Sequence, residues 1–541
     1  MNLTSEQGSG LFLRKATGLT REFGIADAIW TNLGLVGVFF SLTFIASTGP
    51  LIGGDPVVGG IIALIGMFFV AIAFAAMSII TPRTASDYVF TSRYLNPALG
   101  FVGNAGYYVS TVPLFMGITI TTIESFGFSA LFAYVGLATG NQGMVNLATT
   151  LSTNPYYELA VGGILTILVG MIPLLGYRVY RWLNNVILPL ILVAVAVMFY
   201  VLATTPTSVA LQRLTALSGN PNLIANVTAV QPVSAIPVAH GLGADFALNA
   251  VYVVGFAYII SAIYIAGEVR QVKRNMPIAI VGTLIITLII FAGATILSYN
   301  TFGYNFLSNL YTQTIALANP AGVGLPLIPY LDFLTAAISN NVYIGGFIII
   351  VVIIQLLWYQ TNAVFVGGRL LLSYSFDRIM PSFMGDVSDR LHVPAKAMIV
   401  SLIIGLLAGL VFVFPSTAAV AFLMSSAAVA ILLLFPITVV GIALLVFRYQ
   451  KSAQFKASSL SNSYLGGPLY VIAAVITIIY SIATFVEYII TPAIFPTSLT
   501  EGLELIFIPI AILFVIYYVS RAINASRGVK FNLIFKEIPP E

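Results

Sequence analysis

Twelve apolar runs alternate with short polar stretches along the 541-residue chain. They lie near 27–50, 58–81, 98–136, 157–176, 183–204, 245–267, 277–300, 341–368, 397–415, 418–446, 468–490 and 503–521. A helix needs about 20 apolar residues to cross a bilayer, so each run predicts one transmembrane helix. The third is long enough to tilt or to run past the membrane. The runs are continuous and lack strict alternation, which excludes a transmembrane barrel. The pattern predicts an all-α polytopic membrane protein of about 12 spans.

The polar stretches orient the chain. With the N-terminus in the cytoplasm, every lysine and arginine except Arg213 falls in a tail or in a loop on that side. Cytoplasmic loops carry such an excess, and one missed helix would scramble it. The protein is therefore expected in the plasma membrane with both termini cytoplasmic. The long stretches at 205–244 and 301–340 then face outward. The chain divides into a tail (1–26), a first group of five helices (27–204), an extracellular loop (205–244), a second group of five (245–446), two further helices (447–521) and a C-terminal tail (522–541).

Composition sharpens this picture. Hydrophobic residues make up 59% of the chain and charged residues 7%, against about 25% charged in soluble domains. The mean hydropathy is +1.02. There is no cysteine, which excludes disulfides and thiolate metal sites. The N-terminal stretch LFLRKATGLTREFG has no apolar core followed by a cleavage site, so no removed signal peptide is expected. The basic balance is accounted for by orientation and calls for no nucleic-acid partner. No cofactor or metal is expected.

Two runs share an internal pattern. The first reads NLGLVGVFFSLTF and the sixth NAVYVVGFAYIISAI, each with Val-Gly, then aromatics, then serine. The counterparts are Gly37, Phe39, Phe40 and Ser41 in one, and Gly255, Phe256, Tyr258 and Ser261 in the other. Glycine costs about 1 kcal/mol in a helix interior. Paired interruptions at helices 1 and 6 are what a five-plus-five inverted repeat places at the membrane centre, where unwound backbone can hold a carboxylate, an amino group or an ion. The alternative is that these glycines only let helices approach closely, as Gly405 and Gly409 would in helix 9.

After helix 6 the chain reads AGEVRQVKRNMPIAI, with four charges in seven positions. This stretch resembles one in the amino acid–polyamine–organocation permease family, through Glu268, Val269, Arg274, Asn275 and Pro277. GRLLLSYSFDRIMP after helix 8 is similar to a second family motif through Arg369, Asp377 and Pro381, with Pro394 following. Weaker likenesses are PRTASDYVF, through Pro82 and Tyr88, and GYRVYRWLN, through Gly176 and Asn184. The resemblance implies a leucine-transporter-like fold, broken helices 1 and 6, and transport of amino acids or related amines. The chain departs from the family pattern at Ser41, where many members have a second glycine, and at Tyr258, where many have glycine. It also has Ile191 where proton-coupled members can carry lysine.

Ionisable residues at membrane depth are functional candidates. Glu124 is the one acid well inside a run, either a proton or ammonium partner or a solvated residue at the outer end of a long helix 3. Asp27, Glu158, Asp245, Asp332 and Glu487 lie near run ends and read as interfacial. In helix 8, Gln355, Tyr359 and Asn362 fall on one face. Gln355 fits an inter-helix network and Asn362 a substrate pathway, with Ser425 and Ser426 of helix 10 as weaker candidates. Glu268, Arg369 and Asp377 lie on the cytoplasmic side and are expected to close it through ion pairs. Trp30 and Trp182 read as interface anchors and Trp358 as packing.

No Gly-Lys pair occurs, so a P-loop pump is excluded. His240 and His392 fall in aqueous loops and no G-x-S-x-G is present, which argues against an intramembrane enzyme. No repeated filter-like loop suggests a channel. The sequence points to a secondary active transporter of amino acids or organic amines, by proton symport. An exchanger, or a sensor that binds without moving its ligand, would carry the same pattern. Its partners are then the small-molecule substrate, protons and the lipid bilayer.

Overall fold

The computed structural model describes residues 19, 21–230, 241–414, 426–458, 460–461, 466–491 and 499–538. Among these, eleven helices are long and apolar enough to span a membrane, and a bent pair makes a twelfth span. That pair is α1 (Ile25–Val36) and α2 (Val38–Ile52), which meet at 42°. The others are α3 (Pro56–Ile80), α5 (Pro97–Thr139), α6 (Pro155–Leu175), α7 (Tyr177–Thr204), α8 (Leu242–Glu268), α9 (Val272–Phe302), α11 (Val342–Phe376), α12 (Ala395–Val413), α13 (Ser426–Tyr449), α14 (Pro468–Ile490) and α15 (Leu499–Ser526). Two shorter helices pack against the spans: α4 (Ser86–Tyr94) between α3 and α5, and α10 (Leu331–Ile338) before α11. The described residues contain no strand, only an isolated bridge between Phe23 and Val269.

The punctuation is local chemistry. Asp55, Asn96 and Asn154 each precede a proline and accept backbone amides of the helix that follows. A side-chain oxygen at the cap and a proline in the first turn together favour a helix start there. Each of the twelve predicted runs has its helix.

The bend in the first span sits at Gly37, whose φ of 60° and ψ of 61° are left-handed. Glycine reaches that conformation without the Cβ clash other residues pay. The sixth span changes form rather than parting. It is α-helical from Leu242 to Phe256 and continues as a 3-10 helix over Ala257–Glu268. A 3-10 run of twelve residues is far beyond the usual three or four. Asn32 of α1 helps hold it: its Oδ1 accepts the Ala262 amide at 2.5 Å.

The two interrupted spans cross head to tail. α1 packs on the 3-10 part of α8, and α2 packs on its α-helical part. This antiparallel embrace is the arrangement expected of inverted repeats. The third span, α5, is also irregular, with π-helical stretches at Ser110–Met116 and Ile123–Phe128. Pro113 lies in the first of these. Carbonyls there turn to α11: the Tyr359 hydroxyl donates to Thr111 O at 3.2 Å, and Gln360 Nε2 donates to Met116 O at 3.2 Å.

Candidate substrate site at the broken helix

The site is built around Gly37. Past it, the first amides of α2 have no carbonyl one turn back within a regular helix, as at any helix start. Gln355 of α11 supplies the acceptor. Its Oε1 lies 3.1 Å from the Phe39 amide and 3.4 Å from the Phe40 amide. Its Nε2 is buried and has no hydrogen-bond partner. Ser41 secures the other side of the bend, donating to Val36 O at 2.6 Å.

Aromatic rings enclose this point. Phe40 meets Phe115 edge-on with centroids 4.5 Å apart. Phe115 stacks on Tyr258 at 5.7 Å and meets Tyr359 edge-on at 4.3 Å. Ser261 donates to Tyr258 O at 2.5 Å and shares a 2.6 Å hydrogen bond with the Tyr107 hydroxyl. Gly37, Phe40, Ser41, Tyr258 and Ser261 are thus brought to one place by α1, α2, α5, α8 and α11.

Three expected members stand differently. Gly255 remains in α-helix two residues before the 3-10 stretch begins. A Cβ there would lie 2.4 Å from Phe291 and 2.9 Å from the Ser41 Cβ, so the glycine permits the close approach of α8 to its neighbours. Phe256 packs on Phe291 and Tyr252 instead of the rings around Phe115. Asn362 lies beside Gly34. It accepts from the Tyr180 hydroxyl at 2.7 Å and donates to Trp358 O at 2.8 Å, so both ends of its amide are engaged. Ser425 and His240 lie outside the described residues, as does the side chain of Ser426.

Glu124 is fully buried in the second π-helical stretch. Ser129 donates to its Oε1 at 2.5 Å, while Oε2 has no partner. Burial settles the choice between a solvated and an enclosed carboxylate. Two residues on, Phe126 stacks on Phe40 at 6.1 Å and packs against Tyr330 at 4.0 Å. These rings roof the site on the side away from the chain's N-terminus.

The opposite side is closed by ion pairs. Arg369 Nε and Nη2 donate to the two carboxylate oxygens of Glu268 at 2.5 and 2.8 Å, with Arg369 wholly buried. The guanidinium lies 3.5 Å over the Phe365 ring, and Nη1 donates to Phe365 O at 3.0 Å. Asp377 takes two bonds from Arg93, at 2.6 and 2.8 Å, and one from the Tyr88 hydroxyl at 2.5 Å. The N-terminal segment clasps the same place: the Phe23 amide donates to Glu268 O at 2.9 Å and the Arg270 amide to Phe23 O at 2.8 Å.

Beneath these pairs lies Asp87 of α4. Its Oδ2 accepts from Asn104 at 2.7 Å and from Tyr264 at 3.3 Å, and Asn104 in turn accepts from Tyr374. Burial pushes its pKa up to about 6, against those hydrogen bonds.

Among the interfacial expectations, Asp27 is buried but paired with Arg181 at 2.9 Å, and Asp245 accepts the Asp55 amide at 2.6 Å. Asp332 departs from the interfacial expectation. It is 1% exposed and enclosed in α10, not set at a wet boundary. Trp182 is 65% exposed on the outside of the bundle, whereas Trp358 is buried and donates to Asn184 at 2.8 Å. Sequence reasoning missed Asn32, Tyr107 and Phe115. A lone asparagine inside an apolar run, and a proline within helix 3, were the available signals.

The sequence profile of the family described as amino acid permease matches residues 27–534. The chain belongs to the amino acid permease family. No curated protein matches this permease. Its fold is similar to the crystal structure of MhsT in complex with L-phenylalanine, at 17% identity over 87% of this chain and 98% of that one, with a TM-score of 0.49. The permease is a multi-pass membrane transporter.

Proposed function

We propose that this permease carries amino acids or related organic amines across the plasma membrane by alternating access, in symport with protons. The observation that carries the reading is Gln355 seated on the Phe39 and Phe40 amides at the Gly37 bend. Those amides open a helix, where the backbone dipole favours an anion. A substrate carboxylate is the natural competitor for the place the Gln355 oxygen holds. Once it arrives, the unpartnered Gln355 Nε2 becomes a donor to it. The faces of Phe40, Phe115 and Tyr258 supply cation–π attraction to an ammonium group.

Both exits are shut in the conformation described. We place the ion-paired side in the cytoplasm, following the lysine and arginine bias, and the Phe40–Phe126–Tyr330 roof outside. Alternating access is then the opening of one closure at a time. Glu124 lies two residues from that roof, and we assign it the role of a carboxyl that exchanges a proton during the cycle.

Binding tests this reading without transport. Purified permease is titrated with a pool of labelled L-amino acids, and unlabelled competitors are added with the carboxylate or the amino group blocked. Blocking either group is expected to weaken competition at least tenfold. Undiminished competition by both blocked series would remove the amide cradle from the account.

A further inference from the structure

The outer helix α10 holds an anomaly that the amide cradle does not use. Asp332 is 1% exposed, and neither of its carboxylate oxygens has a hydrogen-bond partner. The Tyr311 hydroxyl, fully buried at the end of the helix Tyr304–Tyr311, is likewise without a partner. An isolated ionised carboxylate is very costly to bury, and such a group neutralises instead. The amides of Asp332 and Phe333, in the first turn of α10, face the carboxylate and oppose that tendency, but at a geometry short of a hydrogen bond.

The setting is the outer roof. Tyr330, two residues before Asp332, packs on Phe126 at 4.0 Å, and Phe126 stacks on Phe40. α10 also packs directly on α2, the half-helix whose amides form the cradle. We infer that Asp332 is a proton-binding site of the outer closure: α10 seats over the broken helix only when this carboxyl is protonated.

Among the described residues, the groups around Asp332 provide no counter-cation. Tyr311 and Tyr330 are close enough for its charge to raise their pKa values further, after burial has done most of the work. Tyr134 of α5 donates to Asn341 O at 3.2 Å, beyond the other end of α10. Tyr200 of α7 is exposed on the outside of the bundle. Arg213 donates to Ile338 O at 2.6 Å, also at the far end of α10. Tyr343, at the start of α11, is 85% exposed, and Tyr359 lines the site. Arg369 and Tyr374 of α11, like Tyr177, Arg178, Tyr180 and Arg181 at the start of α7, lie toward Glu268 and Phe23. α2 has none. Burial raises the Asp332 pKa to about 7, so the seated helix keeps its proton below neutral pH and loses it as pH rises through about 7. An open α10 would hydrate the carboxyl and return it toward about 3.9. Between those values the closed-to-open ratio falls by up to about tenfold per pH unit as pH rises.

This inference deepens the proton-coupled reading, but its test needs no substrate and can fail independently. The chain lacks cysteine, so spin labels can be placed at S339C, at the end of α10, and at Q142C, on an exposed neighbouring helix. Double electron–electron resonance is recorded at pH 5.5 and pH 8.5 in sodium-free buffer. The expected result is a single short distance at pH 5.5 and an added longer one at pH 8.5. D332N, a neutral isostere, should stay short at both, and D332E should restore the pH dependence. The same pH response in D332N would overturn the inference. So would closure at pH 8.5 on adding sodium alone, which would make Asp332 a metal-cation site. If D332N is poorly folded, the pH response of D332E in the same labels decides: its absence overturns the proposal.

Discussion

Glu268→Gln isolates what the Glu268–Arg369 ion pair contributes. The wild-type guanidinium of Arg369 is wholly buried and bound by both carboxylate oxygens at 2.5 and 2.8 Å. Unit charges about 4 Å apart attract by about 4 kcal/mol at an effective dielectric constant near 20. Removing one partner of a buried pair costs about 3–5 kcal/mol, because the remaining charge is left without compensation. Opening this face lets water reach that charge, so the cost falls on the closed state. At about 1.4 kcal/mol per tenfold, the closed-to-open ratio should drop by roughly two to three and a half orders of magnitude. A single cysteine at Ala266, buried two residues from Glu268, reports this through its maleimide labelling rate from the side of the N-terminus. The E268Q protein should label faster by a large factor. Adding Arg369→Met, which removes the stranded charge, should recover much of the protection. Equal labelling of wild type and E268Q, or no recovery in the double variant, would mean that this pair does not hold the face closed.

Other perturbations probe the remaining parts. Gln355→Glu places a carboxylate on the Phe39 and Phe40 amides, and charged hydrogen bonds are worth about 1 kcal/mol more than neutral ones; substrate affinity should fall about fivefold or more in the binding titration. Gly37→Ala forces a Cβ into the left-handed region at about 1–2 kcal/mol, while its nearest contacts, at 3.5 Å, are ordinary; the melting temperature should fall by a few degrees with the fold retained. Gly255→Ala meets Phe291 at 2.4 Å, so uptake should be lost and then partly regained when Phe291→Ala is added. Asp87 has a raised pKa, so its contribution to stability is complete below about 3.8 and lost as pH rises through about 6; thermal melts of Asp87→Asn should lack the decline that the wild type shows across that window.

The spans were legible because bilayer crossing imposes one length and one composition on every helix. The bend was legible for a related reason: Gly37 and Ser41 break a pattern that otherwise has no reason to vary. Glu268, Arg369 and Asp377 could be placed on one face from charge alone, but the choice of Arg93 as the Asp377 partner could not. That pairing joins residues 284 positions apart, and nothing local to either encodes it. Asn362 shows the limit of a helical stripe. It shares a face with Gln355, yet seven residues along α11 that face meets Tyr180 and Gly34 instead of the bend. Asp332 was misread because position near a run end says nothing about which loop helix folds back over the bundle.

The proposed proton-driven movement of an amino acid or amine by the permease is directly measurable. Purified permease in proteoliposomes would be given a pool of labelled amino acids and amines, with and without an inward proton gradient. Proton-driven transport gives accumulation above equilibrium that collapses on adding a protonophore, with a pH profile flattened by Glu124→Gln. Gradient-independent exchange, or no movement by protein shown to be folded, would contradict it.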